Sequence, residues 1–240
     1  MKNNGMKVEI WSDVMCPFCY IGKRKFEEAL AAFPEKDRVE VVWKSFQLNP
    51  DMVTDTSKNV KEYLAGSKGW TAEYTDQVHK QVTDMAREVG LHYDFDRAVI
   101  ANSFDAHRLI QLAKSRGMGD AAEESLFRAY FTEGKNTADH DTLLALGTGI
   151  GLDARQVKEV LDGDAFAGEV KQDIYEARQI GVRGVPYFVF NDKYAVSGAQ
   201  HPETFLGALT QAFSEWEPGK EKPAELPGDG ASCTVDGNCD

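Results

Sequence analysis

Basic residues are scarce in this chain. It has 27 lysines and arginines against 39 aspartates and glutamates in 240 residues, which gives a formal net charge of −12 at pH 7. Nucleic-acid binding depends on a basic face that neutralises phosphates, so this deficit argues against a nucleic-acid-binding protein. It disfavours binding to anionic membrane surfaces for the same reason.

Long apolar runs are also lacking. Crossing a bilayer takes about 18 or more consecutive apolar residues, and the sequence contains no such run. The opening residues, MKNNGMK, lack the apolar core that a signal peptide needs. We therefore expect no membrane association and a cytoplasmic location.

Cysteines are few, and they come in two pairs. The four cysteines of the chain are Cys16 and Cys19, separated by two residues, and Cys233 and Cys239 near the end. A zinc site with four cysteine ligands would require the C-terminus to fold back onto the first pair. The second spacing is longer than that of a usual zinc knuckle, and no histidine lies close to either pair in the sequence. We expect no bound metal, and a zinc-holding or chaperone-like binder stays as an alternative.

The first pair stands between a predicted strand and a predicted helix. The run 7–14 alternates as a strand does. Cys16 therefore lies at a helix N-terminus, where unpaired backbone N–H groups and the helix dipole stabilise a thiolate, and Pro17 suits the first helical position. A Cys-x-x-Cys motif that opens a helix after a strand is typical of a thiol–disulfide redox centre. The apolar residues after it recur at helical spacing: Ile21, Phe26, Ala29, Leu30 and Phe33.

A second motif lies far along the chain. The segment 180–185 leads into Pro186, and an apolar run, 187–190, follows. A turn at 191–193 and a second apolar run, 194–199, complete a predicted β-hairpin. Because proline cannot donate a hydrogen bond to a neighbouring strand, Pro186 fits the first position of the hairpin.

Together the two motifs resemble the thioredoxin superfamily. Within it the chain resembles the DsbA branch, which carries a helical domain inserted between two halves of the fold. The segments WSDVMCPFCYIG at 11–22 and NSFDAHRL at 102–109 are similar to the FrnE-like cytoplasmic subfamily, which is related to 2-hydroxychromene-2-carboxylate isomerases and kappa-class glutathione transferases. The resemblance runs from about residue 7 to about residue 213.

The resemblance implies a fold and a division of the chain. We expect an α/β thioredoxin fold with an inserted all-helical domain, which includes a helix over about 97–117. The expected segments are 1–50 and 166–216 for the two halves of the thioredoxin fold, 51–165 for the helical insertion, and 217–240 for a flexible tail.

The resemblance also implies roles for individual residues. Cys16 corresponds to the nucleophile and Cys19 to the resolving cysteine. Pro186 corresponds to the cis-proline, and Val185 to the residue whose backbone pairs with a bound substrate. The remaining expected substrate-binding residues are Pro17 and Phe18, between the cysteines, and His107. In such proteins the helix that carries His107 borders the cleft, so Asn102 and Phe104 are further candidates to line it.

We therefore predict a thiol–disulfide oxidoreductase of reductase or isomerase type. Its substrates would be protein or small-molecule thiols and disulfides; it would need no bound cofactor, and glutathione is a candidate electron donor. The pair Cys233 and Cys239, on a linker rich in proline, glycine and charge, is a candidate second redox pair. The alternative is a glutathione-dependent isomerase or transferase of aromatic or polyketide-like metabolites. Those relatives have serine where this chain has Cys16, which favours disulfide exchange. The sequence does not distinguish a monomer from a dimer.

Overall fold

A computed structural model of the chain describes residues 5–216. The predicted tail, with Cys233 and Cys239, lies outside them. Within this range, no helix is long and apolar enough to span a bilayer.

The strands are β1 (Met6–Ser12), β2 (Val39–Ser45), β3 (Asp55–Asn59), β4 (Val99–Ile100), β5 (Tyr187–Phe190) and β6 (Tyr194–Ser197). The helices are α1 (Pro17–Ala32), α2 (Val60–Lys68), α3 (Ala72–Glu88), α4 (Phe104–Lys114), α5 (Gly119–Phe131), α6 (His140–Gly149), α7 (Ala154–Asp162), α8 (Ala167–Gln179) and α9 (Pro202–Glu215), and Lys36–Arg38 forms a short 3₁₀ helix.

The central sheet has the strand order β2-β1-β5-β6. Strands β1 and β2 are parallel, whereas β5 is antiparallel to β1 and to β6. Trp11, near the end of β1, pairs with Tyr187, the first residue of β5. This register brings the start of β5 to the edge of the sheet where β1 ends, so that Pro186 and the cysteine motif leave the sheet at the same edge.

Apolar side chains alternate between the two faces of the sheet. Val8 and Ile10 of β1 pack with Phe26 of α1 and with Phe205 and Leu209 of α9 in one buried cluster. The Phe26 and Phe205 rings meet edge to face, with their centroids 5.9 Å apart, an arrangement that aromatic pairs favour. These contacts pack α1 and α9 against one face of the sheet.

The opposite face is covered by α8. Trp11 packs there with Ala177 and Val182, and its indole N–H donates to the backbone oxygen of Asp173, 2.9 Å away. The Asp173 carboxylate accepts a hydrogen bond from the Ser45 backbone N–H at 2.9 Å. This layer places the C-terminal end of α8 next to the segment that leads to Pro186.

The insertion between β2 and α8 is mainly helical but not entirely so. The four-stranded sheet with helices on both faces confirms the expected thioredoxin fold with a helical insertion. The expectation that the insertion is all-helical is corrected, because β3 and β4 form a short antiparallel sheet. The helix predicted over 97–117 begins instead at Phe104. The Asn102 side chain accepts the Phe104 backbone N–H at 2.9 Å and donates to the Met52 carbonyl at 2.8 Å. This local turn competes with helix formation upstream of residue 104.

Charged side chains tie the insertion to α1. Lys23 is only 2% exposed, and its ammonium contacts Glu27 on α1 together with Asp120 and Glu124 on α5. Burial alone would lower the pKa of Lys23, but these carboxylates outweigh it and the pKa is raised. A buried lysine requires such partners, so the helical insertion completes the environment of the helix that carries the cysteines.

Candidate active site

Cys16 occupies the N-cap of α1. Its backbone is extended, with φ −90° and ψ 112°, and Pro17 opens the helix behind it. The Cys16 N–H donates to the Asp13 carbonyl at 2.9 Å, and the Cys19 N–H donates to the Cys16 carbonyl at 3.0 Å. The sulfur of Cys16 therefore lies at the positive end of a sixteen-residue helix, where a thiolate is stabilised.

The loop before β5 faces this sulfur. The Cys16 thiol donates a hydrogen bond to the Val185 carbonyl, with a sulfur–oxygen distance of 3.4 Å. The Val185–Pro186 peptide bond is cis. The structure thus brings together two motifs that are 169 positions apart in the sequence.

Cys19 lies one turn further into the helix and is 1% exposed. Burial, followed by the neighbouring Cys16, raises the pKa of the Cys19 thiol well above its usual value, and hydrogen bonds from the Asp13 backbone and the Ser12 side chain oppose this. Both cysteines are unpaired thiols here. Cys16, at the helix end, is itself only 3% exposed, so both thiols are buried and Cys19 lies one turn deeper in the helix.

Aromatic rings of α1 and of the insertion pack together beside the cysteines. Tyr20 stacks on Phe127 with centroids 4.9 Å apart, and Tyr93 stacks on Phe131 at 4.6 Å. The Tyr93 hydroxyl donates to the carbonyl of Pro17 at 2.7 Å, and burial raises the pKa of Tyr93. The sequence places Tyr20 directly after the cysteine motif, but it does not indicate that Tyr93, Phe127 and Phe131 join it, because nothing in their local spacing shows that α5 and the segment after α3 converge on α1.

Other expected substrate-binding residues have different placements. Phe18 is 39% exposed, beside the two thiols, and Pro17 and Val185 are half-buried there. His107 is fully buried. Helix α4 turns it inward, where its Nε2 lies 3.5 Å from the Asp13 carboxylate, and its assignment as a substrate-binding residue stays a prediction.

His107 belongs to a buried polar cluster with Asp13 and Glu123. Glu123 is 1% exposed, and neither of its carboxyl oxygens has a hydrogen-bond partner among the described residues. Burial raises the pKa of Glu123 to about 7, with His107 and Lys23 opposing the rise. Burial disfavours protonation of His107, but the adjacent Asp13 carboxylate prevails and raises the pKa of the imidazole.

Asn102 and Phe104 line a different cavity. It has a volume of about 380 Å³, and its other lining residues are Gln47, Pro50, Thr54, Asp105 and Ala138. Neither cysteine lines it. The Asn102 side chain oxygen accepts a hydrogen bond from Gln47 at 3.0 Å, so this residue connects the loop after β2 to the start of α4. Among residues 5–216, no group of three histidine, cysteine or acidic side chains is arranged to hold a metal ion.

The Glu123 carboxyl predicts a particular pH dependence of stability. Because its pKa is raised from 4.5 to about 7 in the folded chain, its neutral form stabilises the fold below about pH 4.5, and this contribution is lost as the pH rises through 7. Glu123→Gln removes the titration. We expect the difference in unfolding free energy between wild type and variant to change by about 3 kcal/mol from about pH 4.5 to about pH 8, in the variant's favour at the higher pH.

Urea unfolding at several pH values measures this difference. Glu124→Gln, one residue along α5, is the matched control. Burial alone would raise the pKa of Glu124, but hydrogen bonds from Arg24 and Tyr20 lower it. Its contribution is therefore lost as the pH falls, which is the opposite sign. A Glu123→Gln variant whose pH dependence parallels that of wild type would contradict the assignment.

Comparison with known proteins agrees with this geometry. A probable DsbA oxidoreductase from Streptomyces coelicolor, known from its crystal structure, is 41% identical in sequence to this chain. The two structures superpose with a TM-score of 0.84, and the match covers 98% of each chain. The uncharacterized protein YwbO of Bacillus subtilis is 29% identical over 211 residues, which cover 85% of this chain and 95% of YwbO. The cytosolic disulfide reductase DsbM from Pseudomonas aeruginosa, solved with GSH, shares the fold at 17% identity and a TM-score of 0.61, over 87% of this chain and 99% of DsbM.

A 2-hydroxychromene-2-carboxylate isomerase shares the fold as well, at 16% identity and a TM-score of 0.61, over 87% of this chain and 95% of the isomerase. The family model of the DSBA-like thioredoxin domain matches residues 7–210. That range includes both cysteines of the helix N-terminus and the Val185–Pro186 loop that faces them. The chain therefore belongs to the family of DSBA-like thioredoxin domains.

Proposed function

We propose that this protein is a thiol–disulfide oxidoreductase of reductase or isomerase type, with Cys16 as nucleophile and Cys19 as resolving cysteine. One observation carries the proposal. The Cys16 thiol lies at a helix N-terminus, 3.4 Å from the Val185 carbonyl, with the buried Cys19 thiol one turn behind it. An extended substrate that pairs with the Val185 backbone would present its sulfur to Cys16.

Two exchanges complete the reaction. The Cys16 thiolate attacks one sulfur of a substrate disulfide, so the substrate S–S bond breaks and the other sulfur leaves as a thiolate that takes up a proton. Cys19 then loses its proton and attacks the Cys16 sulfur in the mixed disulfide. The second substrate sulfur is released, and a Cys16–Cys19 disulfide remains. Two electrons have passed from the dithiol to the substrate, and two molecules of glutathione can return them.

The proton of Cys19 needs an acceptor, because the thiol is buried. The Ser12 side chain and the Asp13 backbone border Cys19, and the carboxylate of the same Asp13 lies 3.5 Å from His107. We assign the transient storage of this proton to the buried cluster of Asp13, His107 and Glu123. General acid–base groups of this kind require a position within reach of the proton first and a suitable pKa second.

We propose in addition a subfamily, a cellular location and an electron donor for this protein. The segments 11–22 and 102–109 support membership of the FrnE-like subfamily and a cytoplasmic location. The fold neighbour DsbM is a cytosolic disulfide reductase solved with GSH, which supports glutathione as the electron donor. A glutathione-dependent isomerase or transferase is the competing function, and the fold shared with the hydroxychromene isomerase is its support. A thiol at position 16 favours disulfide exchange.

The first test compares wild type with Cys16→Ser and Cys19→Ser in insulin reduction and in refolding of scrambled ribonuclease. We expect Cys16→Ser to lose turnover, because the thiol that forms the mixed disulfide with the substrate is gone. Cys19→Ser should accumulate a mixed disulfide on Cys16, visible by mass spectrometry, because nothing resolves it. Thr210→Ser, a hydroxyl change on the distant helix α9, serves as a control and should turn over as wild type does. Wild-type inactivity with glutathione-dependent conversion of an aromatic metabolite would support the competing function instead.

The tail cysteines extend the proposal. Cys233 and Cys239 follow a segment, 217–232, of about 16 residues that is rich in proline, glycine and charge. Flexible linkers of this length have a reach of roughly 20–24 Å. We propose that this pair exchanges disulfides with the Cys16–Cys19 pair of the same molecule. The support is the position of the pair at the end of a polar linker.

A Cys233→Ser/Cys239→Ser double variant tests the tail. With glutathione as the reductant we expect turnover to fall by about two- to tenfold if the tail relays electrons, since the effective concentration of a tethered thiol is in the millimolar range. Adding the free tail peptide should not restore the rate at micromolar concentration. Redox cycling and an oxidant response equal to those of wild type would remove the tail from the mechanism.

A further inference from the structure

Gly22 is an unusual residue for the middle of a helix. It lies in the second turn of α1 and is buried. Glycine is the least favourable residue in a helix interior apart from proline, so its presence in the helix that carries both cysteines requires a packing reason.

The reason is the loop before β5. A methyl group on Gly22 would lie 2.9 Å from Cγ of Pro186, 3.5 Å from Cζ of Phe188 and 3.6 Å from Cα of Ala199. Carbon atoms in contact prefer separations of about 3.5–4.0 Å. The Pro186 ring is closed onto its own backbone and cannot swing aside as a flexible side chain would. Alanine at this position would therefore push the loop away from α1 by about 0.6–1 Å.

The same loop sets the surroundings of the nucleophile. Val185 is bonded to Pro186, and its carbonyl accepts the Cys16 thiol at 3.4 Å. The loop and α1 therefore meet at two points, the Cys16 thiol with the Val185 carbonyl and the Gly22 backbone with the Pro186 ring. The Gly22–Pro186 contact is the one without a flexible side chain on the helix. Further along the helix, Lys25 donates at 3.2 Å to the carbonyl of Ala199, which lies in the segment after β6.

We propose that Gly22 is a positioning residue. Its missing side chain lets the Val185–Pro186 loop approach α1 closely enough to hold the Val185 carbonyl, and the substrate backbone that pairs with it, at the Cys16 sulfur. This inference rests on the proposed disulfide exchange for its catalytic consequence, but the geometric part stands on the contacts alone.

The test compares Gly22→Ala with Gly207→Ala. Gly207 also lies inside a helix, α9, and a methyl group there would have no heavy-atom neighbour within 4 Å. Both changes give the same gain in helix propensity, so their difference reports the contact with the loop. The two rate constants to measure are that of exchange with a peptide disulfide and that of Cys16 alkylation by iodoacetamide, which requires the Cys16 thiol but no substrate paired with the Val185 backbone.

We expect Gly22→Ala to lower the exchange rate constant by about ten- to a hundredfold, since a misplacement of about 1 Å can have effects of that size. Alkylation should not fall, because the Cys16 thiol is only 3% exposed and withdrawal of the loop uncovers it, and Gly207→Ala should leave both rate constants unchanged. Equal exchange rates in Gly22→Ala and wild type would overturn the inference, as would a parallel fall of both rate constants. Exchange that is absent from wild type as well would instead refute the proposed function.

Two further measurements test the contact between Gly22 and Pro186 directly. A crystal structure of Gly22→Ala should show the Cys16 sulfur and the Val185 oxygen more than about 4 Å apart, beyond the range of a hydrogen bond to sulfur; an unchanged 3.4 Å separation would overturn the inference whatever the activity. If Gly22→Ala does not fold, Gly22→Ala/Pro186→Ala should fold, because the ring that meets the new methyl is gone. Failure of this double variant, when Pro186→Ala alone folds, would show that the contact is not the cause.

Discussion

The close approach of the Val185–Pro186 loop to the N-terminus of α1 is the contact on which the rest of the site depends. It joins segments 169 positions apart, and the sheet makes it possible, because Trp11 pairs with Tyr187 where β1 ends and β5 begins. The ends of these two neighbouring strands therefore place the Cys16 thiol and the Val185 carbonyl at the same edge of the sheet. Packing of α1 and α9 on one face and of α8 on the other keeps both segments in register.

The helical insertion contributes more than a cover for this site. It surrounds the first turns of α1 with stacked aromatic rings, and the Tyr93 hydroxyl holds the carbonyl next to the nucleophile. It also supplies the acids that neutralise Lys23 and the buried His107 and Glu123. Burying so many ionisable groups is costly unless they are paired or neutral. This concentration of polar groups behind Cys19 therefore agrees with a site where a proton has to be taken up and returned.

Local patterns in the sequence predict the features that depend on local chemistry. The strand, the Cys-Pro-x-Cys helix start and the hairpin after Pro186 each have a signature of spacing and residue type, and resemblance to a family connects them. Tertiary placement is harder to predict. The resemblance implies that His107 borders the cleft, and only the structure shows that α4 turns it inward toward Asp13. Glu123 lies in an ordinary helical pattern, and only the packing of α5 shows that it is buried. The sequence gives no signal for the β3–β4 pair because β3 is polar and β4 has only two residues, and the Asn102 turn shortens the predicted helix.

The most direct test of the central claim is a redox titration of the pair Cys16 and Cys19 in buffers of reduced and oxidised glutathione, with Cys233 and Cys239 replaced by serine and the free thiols counted by alkylation and mass spectrometry. Disulfide exchange predicts that both thiols disappear together in one transition with the steepness of a two-electron couple. It also predicts that Cys19→Ser retains one glutathione on Cys16. Two thiols that remain alkylatable throughout, or that are held by a stoichiometric zinc ion, would contradict the account.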